Sequence, residues 1–312
     1  MEESRAAGGP ARIERAWPRA AALFILALVF SVAHPTILVG VAYVTMVAGL
    51  PVRQWSAYTL AALIVMLVLM GEREGLWWTE RGWALLVAGW FVALTLRWPD
   101  SRFLPRALGA VAGAAAVTLA VATGGDGLWE VVDWQVTERV RAGFATALET
   151  IRLFQQGGTL SPTLVASIDR IAEAQAEVFP AMAGLASLAA LGVAWWIYGR
   201  MAHGDDQGLQ PLRLFRFNDQ LVWLFIGGLA LMVVGGGEGL RRAGSNAAVF
   251  MGALYAVRGA AVVSFFGGGR SWFGILLLAL GFLLAAPVLL TGALMIGLGD
   301  TWLDLRTRRM AA

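Results

Sequence analysis

The chain contains no cysteine and no lysine, and its only histidines are His34 and His203. Without cysteine there is no disulfide, no thiol nucleophile and no iron–sulfur cluster, and a structural zinc site is starved of ligands. Without lysine there is no Schiff-base chemistry and no phosphate-loop lysine. Catalytic patterns are missing as well. Gly184-Leu185-Ala186-Ser187-Leu188 breaks the order of a nucleophile elbow, and Gly235-Gly236-Gly237-Glu238-Gly239 lacks the lysine and strand of a phosphate loop. The expectation is therefore no metal, no cofactor and no enzyme. All 24 basic residues are arginine, and 21 acids leave a net charge of only +3. The isoelectric point near 9.9 follows from arginine replacing lysine. It does not mark a nucleic-acid surface, because no basic patch with interleaved aromatics occurs.

Charge of either sign is scarce, at 14% against ~25% in soluble domains, while 58% of residues are apolar against ~45–50%. Mean hydropathy is +0.68. Such a chain needs the lipid bilayer as its partner and solvent. The apolar residues fall into nine segments, at 20–33, 36–50, 56–70, 82–96, 107–123, 178–199, 220–237, 246–267 and 271–298. The last five approach or exceed the ~17–25 residues of a spanning helix. The first four are shorter and flanked by tryptophans such as Trp17, Trp55, Trp77 and Trp98, which suit the headgroup zone. Only helices and closed barrels satisfy the backbone in lipid, and these runs are too long for barrel strands. The expected fold is an all-α polytopic bundle of about 8–10 membrane segments.

His34-Pro35 separates the first two segments and predicts a tight hairpin or a re-entrant turn. Ser31-Val32-Ala33 loosely fits a signal-cleavage site, but the second segment begins almost at once, so the first helix is expected to stay. The last segment would be ~42 Å long as one helix, against a ~30 Å core. Pro287 and Gly292 are expected to break it into a hairpin or a bent pair.

Arginine marks cytoplasmic loops. Arg5, Arg12, Arg15 and Arg19 place the N-terminus inside, as Arg97, Arg102 and Arg106 do for the turn at 97–106, and Arg200, Arg213 and Arg216 for 200–219. The acid-rich stretch 124–177 then lies outside, and Arg306, Arg308 and Arg309 favour an inside C-terminus. This divides the single membrane domain into 1–123, an extracytoplasmic insertion 124–177 and 178–312. Within the insertion, Trp129, Val132, Val136, Val140, Phe144, Leu148 and Ile151 form one helical face. A second helix is predicted from Ser161-Pro162.

Across the nine segments the one formal charge is Arg258, in Ala256-Val257-Arg258-Gly259-Ala260. A central arginine costs ~2.5–3.5 kcal/mol on the insertion scale. No acid lies inside any of the nine segments, which disfavours proton-driven transport. The partner of Arg258 is a loop acid folded inward, helix carbonyls, or a small anionic ligand. Glu238 is the nearest upstream acid, and Tyr255 adds a hydroxyl one turn away. His34 completes the candidate binding residues, against its plainer reading as a helix-end hydrogen-bonding group.

Three stretches carry a family resemblance. They are Ala176-Glu177-Val178-Phe179-Pro180 leading to a span that ends Trp196-Ile197-Tyr198-Gly199-Arg200; Leu212-Arg213-Leu214-Phe215-Arg216-Phe217-Asn218-Asp219 leading to Val222-Trp223; and Gly297-Leu298-Gly299-Asp300-Thr301-Trp302-Leu303-Asp304-Leu305-Arg306. With the hydropathy order, which covers most of 15–306, the chain resembles the YybS-like bacterial multi-pass membrane proteins, domain of unknown function 2232. That resemblance implies the bacterial cytoplasmic (inner) membrane and assigns no catalytic residue. It also implies an architecture similar to the substrate-binding subunits of energy-coupling-factor transporters, whose motor is a separate ATPase. Three functions stay open: a substrate-binding or transport-associated subunit with possible membrane or ATPase partners, a scaffold for other membrane proteins, and a lipid-modifying enzyme.

Overall fold

The computed structural model describes residues 17–30, 34–70, 73, 76–124, 128–154, 162–204, 209–234, 236–266 and 272–306. The proposed cleavage site at 31–33, the N-terminal arginines before Trp17, and Arg308 and Arg309 lie outside these. Among the described residues the chain forms eleven α-helices and no strand. They are α1 (Trp17–Phe30), α2 (Pro35–Gly49), α3 (Trp55–Leu69), α4 (Trp77–Arg97), α5 (Phe103–Gly124), α6 (Leu128–Phe154), α7 (Pro162–Glu177), α8 (Phe179–Tyr198), α9 (Val222–Val234), α10 (Glu238–Phe266) and α11 (Trp272–Leu303). The protein is an all-α polytopic membrane protein. Among the described residues four stretches are long and apolar enough to cross a membrane, Phe103–Ala122, Phe179–His203, Glu238–Phe266 and Ala285–Leu303, and shorter apolar helices accompany them.

Helix α8 is the axis, with α1, α2, α4, α5 and α10 packed on it. Its sequence explains the position. Ala181, Gly184, Ala186, Ala189, Ala190, Gly192 and Ala194 let neighbouring backbones approach, and in lipid that close packing replaces the missing hydrophobic drive. Trp83 of α4 donates its indole N–H to Ser187 at 2.8 Å, one of the few polar ties in this core. A cavity of about 10 Å³ between α2, α4 and α8, beside Ala42, Ala84 and Ser187, has room for about one water and no more. Past Tyr198 the helix widens into a π-turn, Gly199–His203, and stops at Gly204. There φ is +75°, a left-handed cap that glycine adopts without strain.

The end of α3 is closed by a side chain from α4. Arg81 donates Nε to the Val68 carbonyl at 2.8 Å, and its charge lies 4.0 Å from the Trp77 ring. A cation at a helix C-terminus answers both the free carbonyls and the dipole.

The insertion forms the two helices expected. Val136 and Val140 of α6 pack with Ala172 of α7 and Phe179, and Trp129 stacks on Phe179 at 5.7 Å. Charge pins this pair to the bundle. Arg139 pairs with Glu80 of α4, and Arg242 of α10 with Asp133. Arg242 also donates to the Glu177 carbonyl at 3.3 Å and to the Ala176 carbonyl at 3.2 Å, and sits 5.4 Å from the Trp129 ring. One side chain thus ties α6, the end of α7 and α10 together. Arg242→Ala is expected to raise amide exchange across 129–144 at least tenfold while leaving α8 protected. Exchange mass spectrometry in detergent reads this, and unchanged exchange would show that the apolar face alone holds the pair.

Helices α9 and α10 are antiparallel, with Gly244 against Leu231 and Met232, and Gly228 against Ala247. Helix α10 runs parallel to α8, with Asn246 accepting from the Ala181 N–H at 2.9 Å and Phe250 against Gly184. The last apolar segment breaks as expected. Ala285 leaves helical geometry (φ −141°, ψ 37°) two residues before Pro287, which lacks an N–H and crowds the preceding turn. The distal half of α11 is antiparallel to α10, Gly259 meeting Ala293 and Gly297 meeting Tyr255. Segment 220–237 yields only the 13 residues of α9, ~20 Å of helix: residues 220–221 belong to a 3₁₀ turn, and Gly236 and Gly237 are not helical.

Candidate functional site

The irregular segment 209–221, the last third of α10 and the end of α11 meet around Arg258. Its side chain is completely enclosed, as is that of Asp300. Arg258 donates Nε to Asp300 Oδ2 at 2.9 Å and Nη1 to Asp219 Oδ1 at 2.6 Å. Asp300 Oδ2 also accepts from Arg306 Nη2 at 2.8 Å. Arg306 Nη1 donates to the carbonyls of Arg213 and Phe215, at 3.2 and 2.9 Å. Arg216 sits 3.1 Å from Asp304 and 3.6 Å from Asp219. Among these described residues three arginines therefore face three aspartates, and their charges sum to zero. The Phe217 ring lies 5.5 Å from the Arg258 charge and meets the Tyr255 ring edge-on at 5.0 Å.

Local sequence places each of these groups. Asn218 accepts from the Gln220 N–H at 3.0 Å and caps the 3₁₀ turn that carries Asp219. Asp300 lies in the last turn of α11, and Asp304, just past the helix, takes φ 43°, a left-handed conformation that Asp tolerates better than most residues. Small residues bring α10 and α11 into backbone contact. A Cβ on Gly259 would lie 2.7 Å from the Ala293 carbonyl carbon. That approach brings Asp300 within reach of Arg258.

Two of the sequence-derived candidates, Arg258 and Tyr255, meet here. Glu238 opens α10 and is exposed, ~30 Å along the helix from Arg258. His34 is exposed at the start of α2 and makes no side-chain cap. Neither joins the cluster. The expectation that no acid lies inside a span is corrected. Helix α11 continues to Leu303, past the apolar limit at 298, and carries Asp300 buried within it. A buried carboxylate within a helix long and apolar enough to span means that proton coupling is no longer disfavoured by the lack of one. Asp219, Asp300, Arg306 and Arg216 were not singled out from the sequence as site residues. The signal that could have found them is that all four fall in the two motif stretches 212–219 and 297–306, which the fold brings together.

These features define a polytopic helical membrane protein with a buried ion-pair cluster where its backbone is irregular. The chain belongs to the family described as predicted membrane protein (DUF2232), whose sequence profile matches residues 20–301. No curated protein and no solved structure matches the chain.

Proposed function

We propose that the protein is a substrate-binding or transport-associated membrane subunit that works through the Arg258 cluster. One observation carries this reading: a fully enclosed arginine held by carboxylates from two distant stretches, beside non-helical backbone. Taking ions out of water costs several kcal/mol each, and apolar residues of similar volume would stabilise a bundle as well. Ionisable groups within spans mark binding or translocation sites, and unwound segments at membrane depth occur where a site is lined. On the family resemblance we place the protein in the bacterial inner membrane, and on the distribution of arginine we orient it with its N-terminus cytoplasmic and α6–α7 outside. A driving ATPase would be a separate subunit.

The test is a panel of small carboxylates and phosphates against protein in nanodiscs. At least one oxyanion should raise the unfolding temperature of the native protein and fail to do so for Arg258→Met. A shift of equal size in the variant, or none with any oxyanion, would sink the reading.

A further inference from the structure

The two carboxylates on Arg258 are not equivalent. Asp300 is fully enclosed, belongs to a helix and is shared with Arg306. Asp219 is 43% exposed and sits on one turn of 3₁₀ helix in the irregular segment. It takes a single donor from Arg258. Among the described residues the other terminal nitrogen of that guanidinium, Nη2, has no hydrogen-bond partner although it is buried. A buried donor left unmet costs the full desolvation of that group, and more when it is charged. A planar oxyanion placed end-on can take Nη1 and Nη2 together, which is the stronger, bidentate arrangement.

Charge sets the valence of such a ligand. With Asp219 withdrawn, Arg216, Arg258 and Arg306 face Asp300 and Asp304, leaving one positive charge unmatched. A single negative charge restores neutrality, whereas a dianion overshoots it in a poorly solvated place. Access lies on the same side, because Arg216, Asp219 and Asp304 are all about two-fifths exposed.

We infer that Asp219 occupies the place of a singly charged oxyanion, a carboxylate or a phosphodiester, which exchanges with it on Arg258. The inference rests on the binding reading above and adds its ligand class and its internal competitor. When the oxyanion takes both terminal nitrogens, Asp219 swings out to water with its own 3₁₀ turn, 219–221, while Arg216 stays on Asp304 at 3.1 Å. The resting arrangement is then a self-occupied site, and the loop reports its occupancy.

The experiment uses the full chain in nanodiscs of zwitterionic lipid. Acetate and dimethyl phosphate are titrated as soluble probes, and phosphatidylglycerol is introduced into the disc as the lipid-borne one. Amide exchange over 212–221 and the unfolding temperature are read for the native protein, Asp219→Asn and Arg258→Met. Exchange in 212–221 should rise with oxyanion in the native protein. Asp219→Asn, which keeps the shape and removes the competing charge, should lower the half-saturating concentration at least tenfold. Arg258→Met should abolish both effects. A response to the soluble probes alone assigns a free ligand, and a response to phosphatidylglycerol alone assigns a lipid headgroup.

Binding that is lost in Arg258→Met but equal in native protein and Asp219→Asn would keep the site and overturn the exchange. No oxyanion effect in either the native protein or Asp219→Asn would remove the site itself. Should Asp219→Asn not be recovered folded, the native protein decides alone. Oxyanion binding that leaves exchange at 212–221 unchanged overturns the inference.

Discussion

Replacing Asp300 with alanine should destabilise the protein by about 3–5 kcal/mol, the usual result of removing one partner from a buried ion pair. Asp300 is the acid on which the cluster turns. Its Oδ2 receives both Arg258 and Arg306, and all three side chains are buried. Without it the Arg306 guanidinium keeps only carbonyl partners and Arg258 keeps only the half-exposed Asp219. Removing Arg258 is a milder change. In Arg258→Met, Asp300 retains Arg306 at 2.8 Å, and Asp219 retains water and Arg216 at 3.6 Å. Methionine also fills the vacated space with apolar volume. Denaturant unfolding in detergent micelles should therefore rank Asp300→Ala well below Arg258→Met. Equal losses would show that the cluster is not organised around Asp300.

A second large effect is expected at Gly259. An alanine there would place its Cβ 2.7 Å from the Ala293 carbonyl carbon and closer still to the oxygen, and 3.0 Å from the Gly297 nitrogen. All of these atoms are backbone, so no rotamer change relieves the clash and the helices must separate. Overpacking of this kind costs ~1–3 kcal/mol or more. Here it also pulls Asp300 away from Arg258, so loss of packing and loss of pairing combine. At Gly292 and Gly299, on the partner helix, an alanine Cβ would meet nothing within 4 Å. Alanine at either should be neutral or stabilising by ~0.5–1 kcal/mol, as usual for an unconstrained helical glycine. Thermal unfolding of the three variants separates the cases. A Gly259→Ala protein as stable as Gly292→Ala would mean that α10 and α11 do not touch at this crossing.

Hydropathy and helical periodicity carried much of the fold. The apolar runs became helices near their expected limits, and the Trp129–Phe144 face became the packed side of α6. The break before Pro287 was also legible, because proline acts on its own local backbone. Arg258 stood out for the same reason: a charge inside an apolar run is conspicuous without any neighbour. Its partners were not legible. Asp219 lies 39 residues upstream and Asp300 42 residues downstream, each just beyond the edge of an apolar run. At such an edge an acid reads as an ordinary loop residue. Glu238, nearer in sequence, sits at the far end of the same helix, and helical rise alone removes it from the site.

Solvent preference and local backbone chemistry act residue by residue, so the sequence by itself determined that this is a helical membrane protein and that Arg258 needs an answering charge. Which acids answer depends on how helices cross. Gly259 and Gly297 let α10 and α11 touch, and a shortened α9 leaves 209–221 to fold beside them. Those are long-range packing outcomes, and only the tertiary structure decided them.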